Sequence, residues 1–286
     1  MLRILIATLC MMPYLCSAKI IDSKVLDNGG NGPFNAVVTS DSSLENYVIY
    51  RPKDLLTTVN SSSKLPLVVF ANGGCMDTSY PFQHMLSNIA SHGYVVIALG
   101  KMQYSLDDRQ LNKASNAMIP KAIDWATAQT ANPLSEFFQK LDLNKIAIAG
   151  QSCGGAQLLA TATDKRVSSY LMFNSGIGDM TMADANEQSL KNLHAPIIYL
   201  VGGPTDIATD NAKLDYQRIN HVPIVFANHQ TAGHSGTFEQ PHGGSFSTLA
   251  IKWLDWQLKN NDSNASLFLS SQDTSFPHWD IKAKQF

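Results

Sequence analysis

Short, almost wholly apolar runs recur along this chain, each bounded by Gly, Pro or Asn and most followed by a stretch with the apolar spacing of an amphipathic helix. The runs occupy residues 46–52, 65–74, 94–100, 145–150, 168–176, 195–203 and 222–229, and helical patterns follow at 80–93, 114–130, 156–164, 186–193, 211–219 and 245–259. Strands that are apolar on both faces must be covered on both faces, so this alternation predicts a mostly parallel, doubly wound α/β sheet with helices on each side. The Ser- and Asn-rich residues 53–64 are read as a loop, and residues 262–286 as a polar tail whose aromatic end, 276–286, packs back on the body. Ligands of such sheets bind beyond the carboxyl ends of the strands, so the chemistry is sought in the loops that follow them.

With 286 residues the chain can form one sizeable α/β domain, and no repeat or linker divides it. Charged residues are only 15% and the formal net charge is -2, which leaves no basic field for a nucleic acid. The N-terminus carries Arg3, an apolar stretch over residues 4–15 and then Cys16, Ser17 and Ala18. This is the layout of a secretory signal peptide, with cleavage expected after Ala18, a secreted product and a single domain over residues 19–286. The apolar stretch is short for a membrane span, although an uncleaved anchor is the alternative; a lipoprotein reading at Cys16 is disfavoured by bulky Leu15. Triplets that could accept N-linked sugar begin at Asn60, Asn261 and Asn264, which marks the chain as a candidate glycoprotein.

The strand-end loops hold the chemistry. After the run at 145–150 comes Gly150-Gln151-Ser152-Cys153-Gly154, a G-x-S-x-G pattern between a strand and a helix, in which glycines let a strained serine turn sit tightly between the two. Asp206 follows the run at 195–203 and His234 follows the run at 222–229. The order Ser, Asp, His, each after a later strand, is that of an α/β-hydrolase fold. His234 would accept the proton of Ser152, and ionised Asp206 would orient and stabilise the imidazolium. Asp210 is the competing acid, unless it simply caps the helix at 211–219, and His229 is the competing base. His194, His221 and His242 also lie near strand ends or turns.

The loop after the early strand reads Ala71-Asn72-Gly73-Gly74-Cys75. In this fold one oxyanion donor is the amide after the nucleophile, here Cys153, and the other comes from that early loop, assigned to Cys75 with Gly74 beside it. Removal of the signal segment leaves Cys75 and Cys153 as the remaining pair, and an exported protein would join them in a disulfide that ties the two donors together. Two buried free thiols are the alternative.

The stretches at 67–75, 89–100, 148–155, 201–208 and 232–238 resemble the compact α/β-hydrolases of the cutinase-like, polyester (PET) hydrolase-like and chlorophyllase-like groups, which shade into dienelactone-hydrolase-related proteins. The resemblance implies a serine esterase with Ser152, Asp206 and His234 as triad and the amides of Cys75 and Cys153 as oxyanion hole. The expected mechanism calls for no metal or organic cofactor, and the other histidines show no ligand spacing. Ser152 departs from the cysteine nucleophile of dienelactone hydrolases, and the aromatic residue that polyester-active members offer after the sixth strand is not evident in residues 173–180. Only some twenty residues separate the runs at 168–176 and 195–203, where lipase-like members insert a helical cap, so no large cap domain and a shallow, open site are expected. Gly74, Asn174, Tyr80 and Gln151 are the residues expected to line it.

The expected activity is hydrolysis of a small or polymeric carboxylic ester through an acyl-enzyme. The same triad could instead transfer the acyl group to an alcohol, and a catalytically inactive binding protein on this fold is the rival from another class. The sequence does not address oligomeric state.

Overall fold

A computed structural model of the protein describes residues 19–105, 107, 112–270 and 275–286. The expected signal peptide, residues 1–18, lies outside the described residues. All ten strands join one sheet in the order β1-β2-β3-β5-β4-β6-β7-β8-β9-β10. In chain order these are β1 (Ile20–Lys24), β2 (Ala36–Asp41), β3 (Tyr47–Pro52), β4 (Leu65–Ala71), β5 (Val95–Leu99), β6 (Leu141–Gln151), β7 (Ser169–Phe173), β8 (Ile197–Val201), β9 (Ile224–His229) and β10 (Trp279–Lys284). The six strands from β5 to β9 in sheet order pair in parallel, and antiparallel β1-β2-β3 and β10 complete the two edges.

Successive strand side chains point to opposite faces, and each face meets its own layer of helices. Leu67 and Val69 of β4 and Ile146 and Ile148 of β6 enter one core with α3 (Met118–Ala131), α4 (Cys153–Ala160) and α5 (Thr209–Arg218). Val68 and Phe70 of β4 and Ala147 and Ala149 of β6 enter the other with α2 (Gln83–Ser91), α6 (Gly244–Lys259) and α7 (Ala265–Leu269). Every residue of β4, β5, β7 and β8 is buried, which is why these segments read as unbroken apolar runs. The chain is therefore an α/β protein with the α/β-hydrolase fold. The β7–β8 connection carries only a 3₁₀ helix, Glu187–Asn192, and no cap.

Three features depart from the sequence reading. Residues expected to form a Ser/Asn loop include the helix α1 (Leu55–Ser62), started by Asp54, whose carboxylate accepts the Thr57 N–H at 3.0 Å. Strands β1 and β2 extend the sheet beyond the first run recognised. The aromatic tail packs back as expected, but it does so as β10, hydrogen-bonded along β9, with Trp279 buried against His229 and Phe246. Of the three glycosylation triplets, Asn60 and Asn261 are exposed, whereas Asn264 is buried and donates to the Lys252 carbonyl at 3.2 Å. Among the described residues no helix is long and apolar enough to cross a membrane.

Candidate active site

Ser152 occupies the turn between β6 and α4 with φ 51° and ψ −118°. An L-residue in that conformation is strained, and the surroundings hold it there: its N–H donates to the Phe173 carbonyl at 3.0 Å and its carbonyl accepts from Ser175 Oγ at 2.8 Å. The two flanking glycines are required by contact distance. A Cβ on Gly150 would stand 2.3 Å from the Gly154 carbonyl oxygen, and one on Gly154 would stand 2.1 Å from the Ala71 carbonyl oxygen. The turn thus brings β6, α4 and β4 closer than any side chain permits.

Because β4, β6, β8 and β9 run in parallel, the loops after them emerge at one end of the sheet. There His234 Nε2 lies 3.0 Å from Ser152 Oγ, and His234 Nδ1 lies 2.7 Å from Asp206 Oδ1. The Asp206 side chain is fully buried. It also accepts the Ala208 N–H at 3.0 Å, the Asn174 side-chain amide at 2.8 Å and the Gly202 N–H at 2.8 Å. Burial alone would push this carboxyl up, but the bonds from His234, Ala208, Asn174 and Gly202 outweigh it and hold Asp206 below the usual carboxylate range. An ionised acid fixed by several donors is suited to hold an imidazole in one tautomer and one orientation.

The competing candidates lie elsewhere. Asp210 is exposed in the first turn of α5, paired with Lys213 at 3.1 Å, and the helix is capped at Ala208 rather than at Asp210. His229 ends β9 with its ring against Trp279 and its Nδ1 accepting the Thr231 N–H at 3.2 Å; burial lowers its pKa. His194 bonds the Tyr170 hydroxyl, His221 the Leu193 carbonyl, and the His242 main chain bonds Asp27.

Cys75 and Cys153 are joined by a disulfide, with Cα atoms 5.1 Å apart across 78 positions of sequence. The bond fastens the turn after β4 to the first residue of α4. The Cys75 amide, expected to serve as the early-loop oxyanion donor, is not free for that role. The Cys75 N–H is already engaged, donating to the Asn72 carbonyl at 3.1 Å in the 3₁₀ turn Gly73–Cys75. Among the described residues the Gly74 and Cys153 amides have no such bond, and Gly74 borders the same recess as Ser152 and His234. Buried Asn72 shapes this turn by donating to the carbonyls of Met76 at 2.9 Å and Leu99 at 2.6 Å.

Ser152 and His234 stand between two recesses. One, of about 290 Å³, has apolar walls of Met180, Met182, Ile207 and Ala208 with Asn174 at its base. The other, of about 260 Å³, is bounded by Gly74, Met76, Phe82, Gln151, Phe238 and Glu239. Gln151 also ties the histidine loop down by donating to the His234 carbonyl at 3.1 Å. Asn174, expected as a lining residue, borders the apolar recess but chiefly anchors Asp206. Tyr80 borders neither recess that contains Ser152; it lies in an adjoining hollow with His84 and Glu239. The apolar walls were missed in the sequence, although Ile207 directly follows the acid and is 80% exposed, an unusual position for isoleucine. Among the described residues no group of three or more His, Cys, Asp or Glu side chains is placed to hold a metal ion.

Fold and strand-end geometry define a protein of the α/β-hydrolase superfamily. The sequence profile of the Chlorophyllase family matches residues 24–192, more than half of the chain, and the chain belongs to that family. Membership places it among ester hydrolases of the α/β-hydrolase type. The matched region contains Gly74, Cys75, Ser152 and Cys153 and ends before Asp206 and His234. No curated protein matches the chain.

Proposed function

We propose that the protein is a secreted carboxylic-ester hydrolase that works through an acyl-enzyme on Ser152. The observation that carries this reading is the unbroken hydrogen-bond path from Ser152 Oγ through His234 to the buried Asp206 carboxylate, at 3.0 and 2.7 Å. Ser152 Oγ attacks the ester carbonyl carbon while His234 Nε2 takes its proton. The oxyanion of the tetrahedral adduct is met by the Gly74 and Cys153 amides, each donor of this kind being worth about 10²–10³ in kcat. His234 then gives its proton to the leaving alcohol oxygen as that C–O bond breaks. A water deprotonated by the same histidine attacks the acyl carbon, and cleavage of the Ser152 ester releases the acid.

The apolar recess beside Ser152 supports an aliphatic group on one side of the scissile bond, and the uncapped β7–β8 connection supports an open site. Export rests on the layout of residues 1–18 and on the Cys75–Cys153 bond, which suits an oxidising compartment. N-terminal sequencing of protein recovered from the culture medium is expected to begin at Lys19; recovery of residues 1–18 would contradict export by cleavage.

A panel of p-nitrophenyl esters tests the activity. Wild-type protein is expected to release p-nitrophenol in a rapid burst of about one equivalent before steady turnover if deacylation is slow, and to turn the ester over in any case, whereas Ser152→Ala is expected to do neither. A folded wild-type protein that hydrolyses no member of the panel would overturn the reading.

A further inference from the structure

One wall of the apolar recess is a loop, residues 174–186, that leaves β7 without regular structure apart from a single bridge between Met182 and Ala185. It carries Gly176, Met180 and Met182 to the recess. A loop of this kind holds a defined wall only if its backbone groups are bound from outside. The binding comes from one face of α5.

Asn211, Asp215 and Arg218 are spaced by four and three residues along that helix and so share a face. Asp215 is fully buried, and its two carboxylate oxygens accept the Ile177 N–H at 2.7 Å and the Gly178 N–H at 2.9 Å. The Tyr199 hydroxyl donates to the same carboxylate at 3.2 Å. Arg218 donates to the Gly178 carbonyl at 2.8 Å and to the Asp179 carboxylate at 2.6 Å. Gly176 packs so closely that a Cβ there would lie 2.3 Å from the Ala212 nitrogen. A second part of the lining, Ile207 and Ala208, is the segment that leads directly into the same helix. α5 therefore sets both parts of the lining, one through its N-terminal junction and the other through the Asp215 and Arg218 bonds to the loop.

We infer that Asp215 and Arg218 are specificity-determining positioning residues, which fix the width of the aliphatic recess without touching substrate or the Ser152–His234–Asp206 constellation. This rests on the ester-hydrolase reading. Loss of either clamp frees the Gly176–Met180 backbone and blurs the fit for the longer aliphatic group, while the bonds among Ser152, His234 and Asp206 are left as they are. Asp215→Asn keeps the shape but presents an N–H to one of the two backbone N–H groups. Arg218→Gln removes the bonds to Gly178 and Asp179 from a half-buried position.

The test compares kcat and KM of the full-length protein and both variants on p-nitrophenyl acetate and p-nitrophenyl hexanoate, with fluorophosphonate labelling of Ser152 as a parallel readout. For Asp215→Asn the expected result is an unchanged labelling rate, kcat on acetate within about twofold, and a KM on hexanoate raised about tenfold, the scale set by a few methylene contacts. Arg218→Gln is expected to shift the hexanoate-to-acetate preference in the same direction by about threefold, and it decides the matter if Asp215→Asn does not fold. Equal losses on both esters, or an unchanged preference in the folded variants, would overturn the inference while leaving the hydrolase reading intact. Failure of the wild type on both esters and with the probe would instead sink the reading on which it rests.

Discussion

The imidazole Nε2 of His234 stands 3.0 Å from the hydroxyl oxygen of Ser152, although 82 positions of sequence separate them. Neither loop makes this contact alone. It depends on β6 and β9 running in parallel in the same sheet, on β8 placing Asp206 between them, and on a serine turn that projects its hydroxyl outward. On the proposed mechanism, the contact serves a nucleophile and its base only while Asp206 remains ionised on the far side of the ring.

Replacement of that acid is therefore expected to cost activity out of proportion to stability. Asp206→Asn keeps the shape of the side chain but offers His234 Nδ1–H a group that can select the wrong tautomer, and kcat on a p-nitrophenyl ester should fall about 10⁴-fold. Steady-state kinetics on protein whose circular dichroism matches wild type checks this. A loss under tenfold would contradict the role assigned to Asp206.

The same carboxylate should mark the acid side of the stability profile. Its folded pKa is depressed, so the unfolded chain binds its proton first as pH falls. The stabilisation is complete above the unfolded value of about 3.9 and is lost as pH drops through the lower folded value. Urea midpoints between pH 6 and pH 2.5 should fall for wild type more steeply than for Asp206→Asn. Parallel curves would contradict the assignment.

The disulfide closes a loop of 78 positions, for which loop-closure entropy gives about 4 kcal/mol. The double variant Cys75→Ser, Cys153→Ser should lose roughly 10 °C of Tm, and wild type in reductant should approach it. Its activity should fall further than stability requires, because the Gly74 and Cys153 amides are then held by separate elements. Calorimetry that found no change on reduction would exclude the bond in the native protein.

Gly154→Ala tests the close packing under the serine turn. Its methyl would meet the Ala71 carbonyl at 2.1 Å, a main-chain atom in the central strand that cannot swing aside. A destabilisation of about 3 kcal/mol or more by urea denaturation, or failure to fold, is expected. A variant of wild-type stability would mean that the turn is looser than described.

Much of the fold was legible because burial on both faces writes the central strands as unbroken apolar runs, as in residues 67–71 and 197–201. The edges were harder. Residues 279–284 alternate Asp280, Lys282 and Lys284 with smaller or apolar residues, as an edge strand does, and so read as tail. Helix α1 was hidden by its serines and threonines, since its formation rests on the Asp54 cap more than on composition. Motif and strand order pointed to Ser152, Asp206 and His234, with Asp210 and His229 as competitors, and the Cys75–Cys153 pairing followed from the two cysteines left once the signal segment is removed. Which early-loop amide stays free could not, because that depends on whether the chain turns back to bond Cys75 to Asn72. The supports of the recess escaped for a related reason: Asp215 and Arg218 act on a loop some forty residues away, and nothing local in residues 211–218 sets them apart from an ordinary amphipathic helix.

The most direct test of the central claim is labelling with a fluorophosphonate probe followed by peptide mapping. The account predicts one covalent adduct per chain on the peptide holding Ser152, absent in Ser152→Ala and greatly slowed in His234→Ala. A folded wild-type protein that takes up no probe, or takes it up on another residue, would contradict it.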